Sequence, residues 1–175
     1  MDWKNRSAYL MVKTQPGQAE NVWKKTQEWP TAIGSWVVTG DWDVIVWVDA
    51  KNTSDVYTKA AKLRKMSGVT ASSSHYVYEG HKNASWWWDW PCGAWVLWRG
   101  KDLNGTWKKT KNWDWAVSSA SVPGDWDWIT YVGGWNWNDV CQNQVKFQKL
   151  GWQTKTLVPM RTWWNTKWAK LWMKK

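Results

Sequence analysis

Cysteine, histidine and phenylalanine are almost missing from this chain. Cys92 and Cys141 are the two cysteines, with no Cys-x-x-Cys spacing and no histidine beside them. A disulfide framework and a zinc site of ordinary ligand spacing are therefore both excluded. His75 and His81 are the only histidines; His75 reads as a strand residue and His81 as part of a connector. Without a His, Cys and carboxylate constellation or a Gly-rich phosphate loop, nothing points to catalysis, to a cofactor or to a metal. The amino-terminal MDWKNRSAY has no apolar core of signal-peptide length, and the WWWDWP run at 86–91 is far too short to span a bilayer, so a cytoplasmic location is expected. Leu, Ile and Phe are scarce, and 24 tryptophans carry much of the apolar burden instead.

What is present is a repeat. Trp23-Lys24-Lys25-Thr26, Trp29 and Gly40-Asp41-Trp42-Asp43 return 84 residues later as Trp107-Lys108-Lys109-Thr110, Trp113 and Gly124-Asp125-Trp126-Asp127. A constant offset across a helix-like stretch, a linker and a turn signal implies two copies of one unit. Ala8–Lys13 maps onto Ala94–Arg99 after a two-residue adjustment, and a one-residue deletion near Ser67 brings Gly68-Val69 onto Gly151-Trp152. Each copy spans about 80 residues, near the size at which a lone core is marginal, so association of the copies or of chains is expected.

Within the first copy, 8–13 reads as a strand broken by Pro16-Gly17. Ala19, Val22, Trp23 and Thr26 then fall at the spacing of one helical stripe, closed by Trp29-Pro30. Residues 32–39 and 43–49 read as strands joined by Gly40-Asp41-Trp42. Residues 52–66 form a second helix with Asn52 or Thr53 as its cap, and 71–78 a last strand. The second copy predicts strands at 94–99, 116–122, 127–132 and 154–160, with helices near 103–112 and 137–150. This βαββαβ order predicts an α+β protein of two tandem ferredoxin-like domains, 1–83 and 84–160, each an antiparallel sheet with helices on one face. Residues 80–93 are the connector.

Residues 160–175 carry five Lys or Arg and no Asp or Glu, half of the formal excess of +10. Met160, Trp164, Trp168, Leu171 and Trp172 share one arc of a helical wheel and Lys167, Lys170 and Lys174 another. Residues 161–175 are thus expected as a basic amphipathic helix that docks on protein, or else on a membrane or a nucleic-acid backbone.

The Val38–Asp43 hairpin, the alternating aliphatic strand after it and the helix ending Leu63-Arg64-Lys65-Met66-Ser67-Gly68-Val69-Thr70 resemble the effector-binding domain of the Lrp/AsnC regulators, often called the RAM domain. The resemblance covers about 7–79 well and 93–160 more loosely. It implies sheet-mediated pairing, homo-oligomers, and an effector amino acid near the hairpin Thr39–Asp43 and its copy Pro123–Asp127. A helix-turn-helix cannot be formed by the residues before position 7, so sequence-specific DNA binding of the family's kind is not expected.

The hairpin's chemistry suits an amino acid. Gly40 and Gly124 leave backbone N–H groups open to a carboxylate, while Asp41, Asp43, Asp125 and Asp127 can take an ammonium group. Thr39 adds a hydroxyl, and Ser74 and Thr156 on the last strands can supply others to the same cleft. The plainer reading stands beside this one: Gly-Asp is what a tight hairpin wants, and the second Asp of each motif then only bonds the turn backbone. Pro123 in place of Thr39 removes a hydroxyl and a backbone donor, which marks the second copy as the degenerate one. The expectation is a non-catalytic sensor of a small metabolite, most simply an amino acid. The alternatives are a self-assembling ring or filament scaffold and a single-stranded RNA binder stacking bases on sheet aromatics.

Overall fold

Both faces of the central strands are apolar in sequence, and the structure shows why. The computed structural model describes residues 6–82, 90–100 and 108–168, with the backbone alone of 81 and 82. The chain divides into two compact units: residues up to 77 together with those from 159 onward, and the residues between.

In the first unit, β1 (Ser7–Thr14) lies between β4 (Val69–Tyr76) and β3 (Val44–Asp49), and β2 (Ala32–Thr39) flanks β3. All these pairings are antiparallel. Ala8, Leu10 and Val12 alternate with Tyr9 and Met11 along β1. The first set packs with Val44, Val46 and Val48 of β3 against Val22 of α1 (Ala19–Gln27) and Val56, Ala60 and Leu63 of α2 (Thr53–Arg64). The second set, with Ile45, Trp47 and Trp36, is buried too. A strand covered on both sides reads as a continuous apolar run rather than an alternating one, as AYLMV does here. The hydroxyl of buried Thr26, in α1's apolar stripe, donates to the Trp23 carbonyl at 2.7 Å, so its burial leaves no unmet donor.

The second unit repeats the plan as β9-β6-β8-β7-β5. Here β5 is Glu79–Lys82, β6 Cys92–Arg99, β7 Ala116–Ser121, β8 Trp128–Gly134 and β9 Gln153–Trp164, with α3 at Trp137–Lys149. Residues 108–110 are the described end of the copy's first helix, whose predicted start, with Leu103, Thr106 and Trp107, lies outside the described residues. On the helix side, Trp98, Trp128 and Trp152 form a stack where the first unit has Val12, Val44 and Val69. Ring centroids lie 5.3 Å apart for Trp98–Trp128 and 4.6 Å for Trp98–Trp152.

The two long helices open identically. Asn52 accepts from the Asp55 N–H at 2.9 Å, and Asn136, 84 residues later, from the Asp139 N–H at 3.0 Å. Asp55 also pairs with Lys59, and that hydrogen bond holds its carboxyl below the ordinary value despite some opposing desolvation. Asn52→Ala is expected to cost about 1 kcal/mol in urea unfolding, the usual worth of such a cap; a change within error would show that the cap is redundant.

Three features differ from the sequence reading. Residues 80–82 of the expected connector belong, with Glu79, to a strand, β5, paired with β7 as a fifth strand of the second unit. The first unit ends at Val77 rather than at 83. The expected helix from 161 is instead the end of β9 as far as Trp164, lying along β2 in the first unit, where the Asn165 N–H donates to the Ile33 carbonyl at 3.1 Å. Thr162, Trp163 and Trp164 favour a pleated, half-buried surface. Trp164 also fills the space that glycine leaves at position 34, with its Cε3 only 2.9 Å from where a Cβ would stand, and it meets Trp36 edge-on. Helical residues begin only at 166, and the Trp168 Nε1–H reaches the Pro30 carbonyl at 3.4 Å. Leu171, Trp172, Lys170 and Lys174 lie outside the described residues.

Candidate functional site

Each Gly-Asp-Trp-Asp segment closes its hairpin in the same way. The Val38 N–H donates to the Asp43 carbonyl at 2.9 Å and the Val122 N–H to the Asp127 carbonyl at 2.8 Å. Gly40 (φ +117°) and Gly124 (φ +142°) take backbone conformations that a side chain would resist. Thr39, Gly40, Asp41, Gly124 and Asp125 are exposed at the tips.

The second aspartate of each motif turns inward onto the chain. Asp43 Oδ2 accepts from the Thr14 N–H at 2.7 Å and the Thr14 hydroxyl at 3.1 Å. Asp127 Oδ2 accepts from the Gly100 N–H at 3.2 Å. Both carboxylates therefore tie the hairpin to the end of the neighbouring strand, and in the second copy one such tie remains where the first has two. A cation lies over each hairpin tryptophan: Lys13 Nζ stands 5.7 Å from the Trp42 ring centroid and the Arg99 guanidinium carbon 5.8 Å from that of Trp126.

Beside Asp127 the second unit has a pocket of about 300 Å³ lined by Arg99, Gly100, Asp127, Gly151 and Gln153. Arg99 Nε donates to Gln153 Oε1 at 2.6 Å, which steadies the guanidinium at the pocket wall. A guanidinium and a carboxylate on one small pocket can hold the two ends of a zwitterion. The copy with proline at position 123 carries this pocket, and Pro123 stands exposed at the tip, outside its described lining.

Ser74 and Thr156 are not brought to the hairpins. They occupy equivalent places, Ser74 opposite Leu10 on β1 and Thr156 opposite Val96 on β6. Cross-strand partners share a sheet face, so both point to the helix side with Leu10 and Val96. Their hydroxyl oxygens are shielded from solvent and make no hydrogen bond among the described residues. Leu10 is also four residues along β1 from Thr14, about 13 Å at the rise of a strand. His75 is a buried β4 residue whose Nε2 lies 2.9 Å from Ser73 Oγ. Tyr131, across from Trp95 on β8, is pushed up to about 12, by burial first and by the nearby Cys92 second.

Arg99, Gly100, Gly151 and Gln153 were not among the residues singled out from sequence. The repeat alignment held the signal, since it already set Arg99 against Lys13 and hence Gly100 against Thr14.

Base stacking on the sheet requires exposed rings. Tyr9, Trp36, Trp47 and Trp95, four aromatics on the face away from the helices, are at most 2% exposed, so these rings offer no platform. Among the described residues no helix is long and apolar enough to cross a membrane.

Residues 7–87 match the family model of the Lrp/AsnC ligand binding domain. The HTH-type transcriptional regulator FL11 of Pyrococcus furiosus is 24% identical over 81 residues, which make up 46% of this chain and 54% of that protein. The chain thus spans about half the length of this curated relative. Among solved structures, FFRP-DM1 is 27% identical, with 39% of this chain and 93% of that one covered and a TM-score of 0.38. The siroheme decarboxylase NirDL covers 89% of this chain and 71% of its own at a TM-score of 0.68, with 8% identity. The last likeness spans both repeats and shows the fold, a mixed α+β chain of ferredoxin-like units.

Proposed function

We propose that this Lrp/AsnC-type protein binds an amino acid without transforming it, at the hairpin pockets, and that it assembles into homo-oligomers whose behaviour the ligand alters. The observation that carries this reading is the pocket beside Asp127, where a guanidinium, a carboxylate and a side-chain amide converge on a volume suited to one small molecule. These groups recognise charge and hydrogen bonds, and the pocket's described lining contains no nucleophile. The match of residues 7–87 to a ligand-binding family model supports sensing, and the name of the Pyrococcus relative supports a role in transcription regulation through a partner or through ligand-dependent assembly. A fold shared with a siroheme decarboxylase at 8% identity carries no chemistry across, because one scaffold hosts many functions.

A thermal-shift panel of the twenty L-amino acids, run with light scattering, tests the reading. A ligand at a hundred times its Kd should stabilise the protein by about 2.7 kcal/mol. Asp127→Asn is expected to weaken that ligand at least fivefold while leaving the circular dichroism spectrum unchanged. Unaltered affinity in Asp127→Asn would remove the second hairpin from the site, and an unresponsive panel would remove amino-acid sensing.

A further inference from the structure

We infer that the outer edge of β2 in the first unit is a strand-addition site that reads two adjacent tryptophans, and that the chain's own residues 161–168 are both its ligand and its plug. The hairpins play no part in it.

β3 pairs with one side of β2, and without the tail the other side would offer a row of backbone N–H and C=O groups. The tail answers them as a strand, with β9 next to β2 and the Asn165 N–H on the Ile33 carbonyl at 3.1 Å. Main-chain bonds of this kind hold any extended segment, so selectivity has to come from the side chains that alternate across the edge. Here they are Trp163 and Trp164. Trp163 packs on the helix-side core, whereas Trp164 lies on the opposite face, edge-on to Trp36 at 4.9 Å and to Trp47 at 6.4 Å between ring centroids. Two neighbouring rings thus straddle the edge. A third follows after a turn: the Lys167 N–H donates to Asn165 Oδ1 at 3.1 Å, and the buried Trp168 reaches the Pro30 carbonyl.

The missing side chain at position 34 is what admits Trp164. A Cβ there would stand 2.9 Å from Cε3 and 3.0 Å from Cζ3 of Trp164, and 3.0 Å from Cη2 of Trp36, so a methyl group would press on two rigid rings at once. The second unit supplies the comparison. Ser118 lies opposite Tyr131 as Gly34 lies opposite Trp47, each just past a register shift, and the strand added there, β5, sets Lys82 against Ser118. Where the equivalent notch carries a side chain, the incoming residue is not aromatic. The glycine therefore selects for the tryptophan, and backbone pairing alone does not decide which segment β2 accepts.

Isothermal titration with a peptide of residues 159–168 tests the site on two full-length proteins. One is the parent chain, and the other carries Trp163→Ser, Trp164→Ser and Trp168→Ser, so that its tail has lost its rings. The peptide should bind this variant saturably at one molecule per chain, and should bind the parent, whose edge is filled, weaker by about tenfold or more. Trp164→Ser in the peptide should weaken its binding to the variant by about tenfold or more. No saturable binding to the variant, equal binding to the two proteins, or indifference to the peptide's Trp164→Ser overturns the inference. Trypsin decides the matter even if that variant does not fold. Gly34→Ala in the otherwise unaltered chain should speed cleavage after Arg161 by about tenfold or more, with an unchanged circular dichroism spectrum, because the added methyl displaces the plug. An unchanged cleavage rate overturns it as well.

Discussion

Trp98→Ala is expected to lower the unfolding free energy by about 3–5 kcal/mol, the range for removing a large buried aromatic. Trp98 is fully buried, and its ring lies nearly parallel to both Trp128 and Trp152, at 6° and 10°. Phe147 closes a third side at 5.6 Å. Truncation removes these contacts together and leaves a hole that three rigid rings cannot collapse into. It also removes a hydrogen bond, since the indole N–H donates to buried Thr130 Oγ1 at 2.8 Å, although that hydroxyl keeps its link to Ser119 Oγ at 2.8 Å. Against a total stability of about 5–15 kcal/mol for such a chain, the variant should unfold at markedly lower urea. A loss below about 1 kcal/mol would show that the tryptophan stack is not what holds the second unit.

Gly134→Ala should cost about 2–3 kcal/mol although it adds one methyl group, because the clash falls on backbone. A Cβ at this position would stand 2.8 Å from the Val140 nitrogen and 3.0 Å from the Asn136 carbonyl oxygen. Those atoms belong to the first turn of α3, where the Val140 N–H donates to that same carbonyl at 3.2 Å and Asn136 caps the helix. No side-chain rotation relieves the overlap, so the start of the helix must move away from β8 and the Val140–Phe147 face must shift in its core. The first unit has Ala50 at the corresponding place, buried in its core beside Val56. Ala50→Gly should therefore behave differently, losing a buried methyl without relieving any strain. Equal unfolding midpoints for Gly134→Ala and the parent protein would show that α3 has room to move and that this glycine is incidental.

The hairpins show how far local pattern reaches. Gly40 and Gly124 are legible as turns because a positive φ favours glycine wherever the chain reverses tightly, and Asn52 and Asn136 are legible as caps because an unpaired helix N–H wants a short side-chain acceptor. Asp43 and Asp127 were legible as hairpin residues, but which atoms they bind was not. Their partners, Thr14 and Gly100, lie 29 and 27 residues away and meet them only once the strands pair. Ser74 and Thr156 show the opposite failure. A hydroxyl on a strand reads as available, yet the register with Leu10 and Val96 turns both beneath the helices.

The segment after 160 marks the same boundary. Its apolar spacing suits a helix, and no local property forbids one, but residues 161–164 find an open strand edge at β2 and a glycine whose missing side chain admits Trp164. Hydrogen bonding along an edge outweighs helical periodicity where backbone partners are waiting.

By itself, then, the amino-acid order determined that one βαββαβ unit occurs twice and where most of its strands, turns and caps begin, since these depend on neighbours a few residues apart. Only the tertiary structure decided that both sheet faces are buried, that β5 and the end of β9 each add a strand, and that the pocket lies at the second hairpin. Each of those outcomes turns on groups far apart in the chain competing for one space, and the winner at the pocket is the indole of Trp152, which leaves room at position 100 for nothing larger than a hydrogen atom.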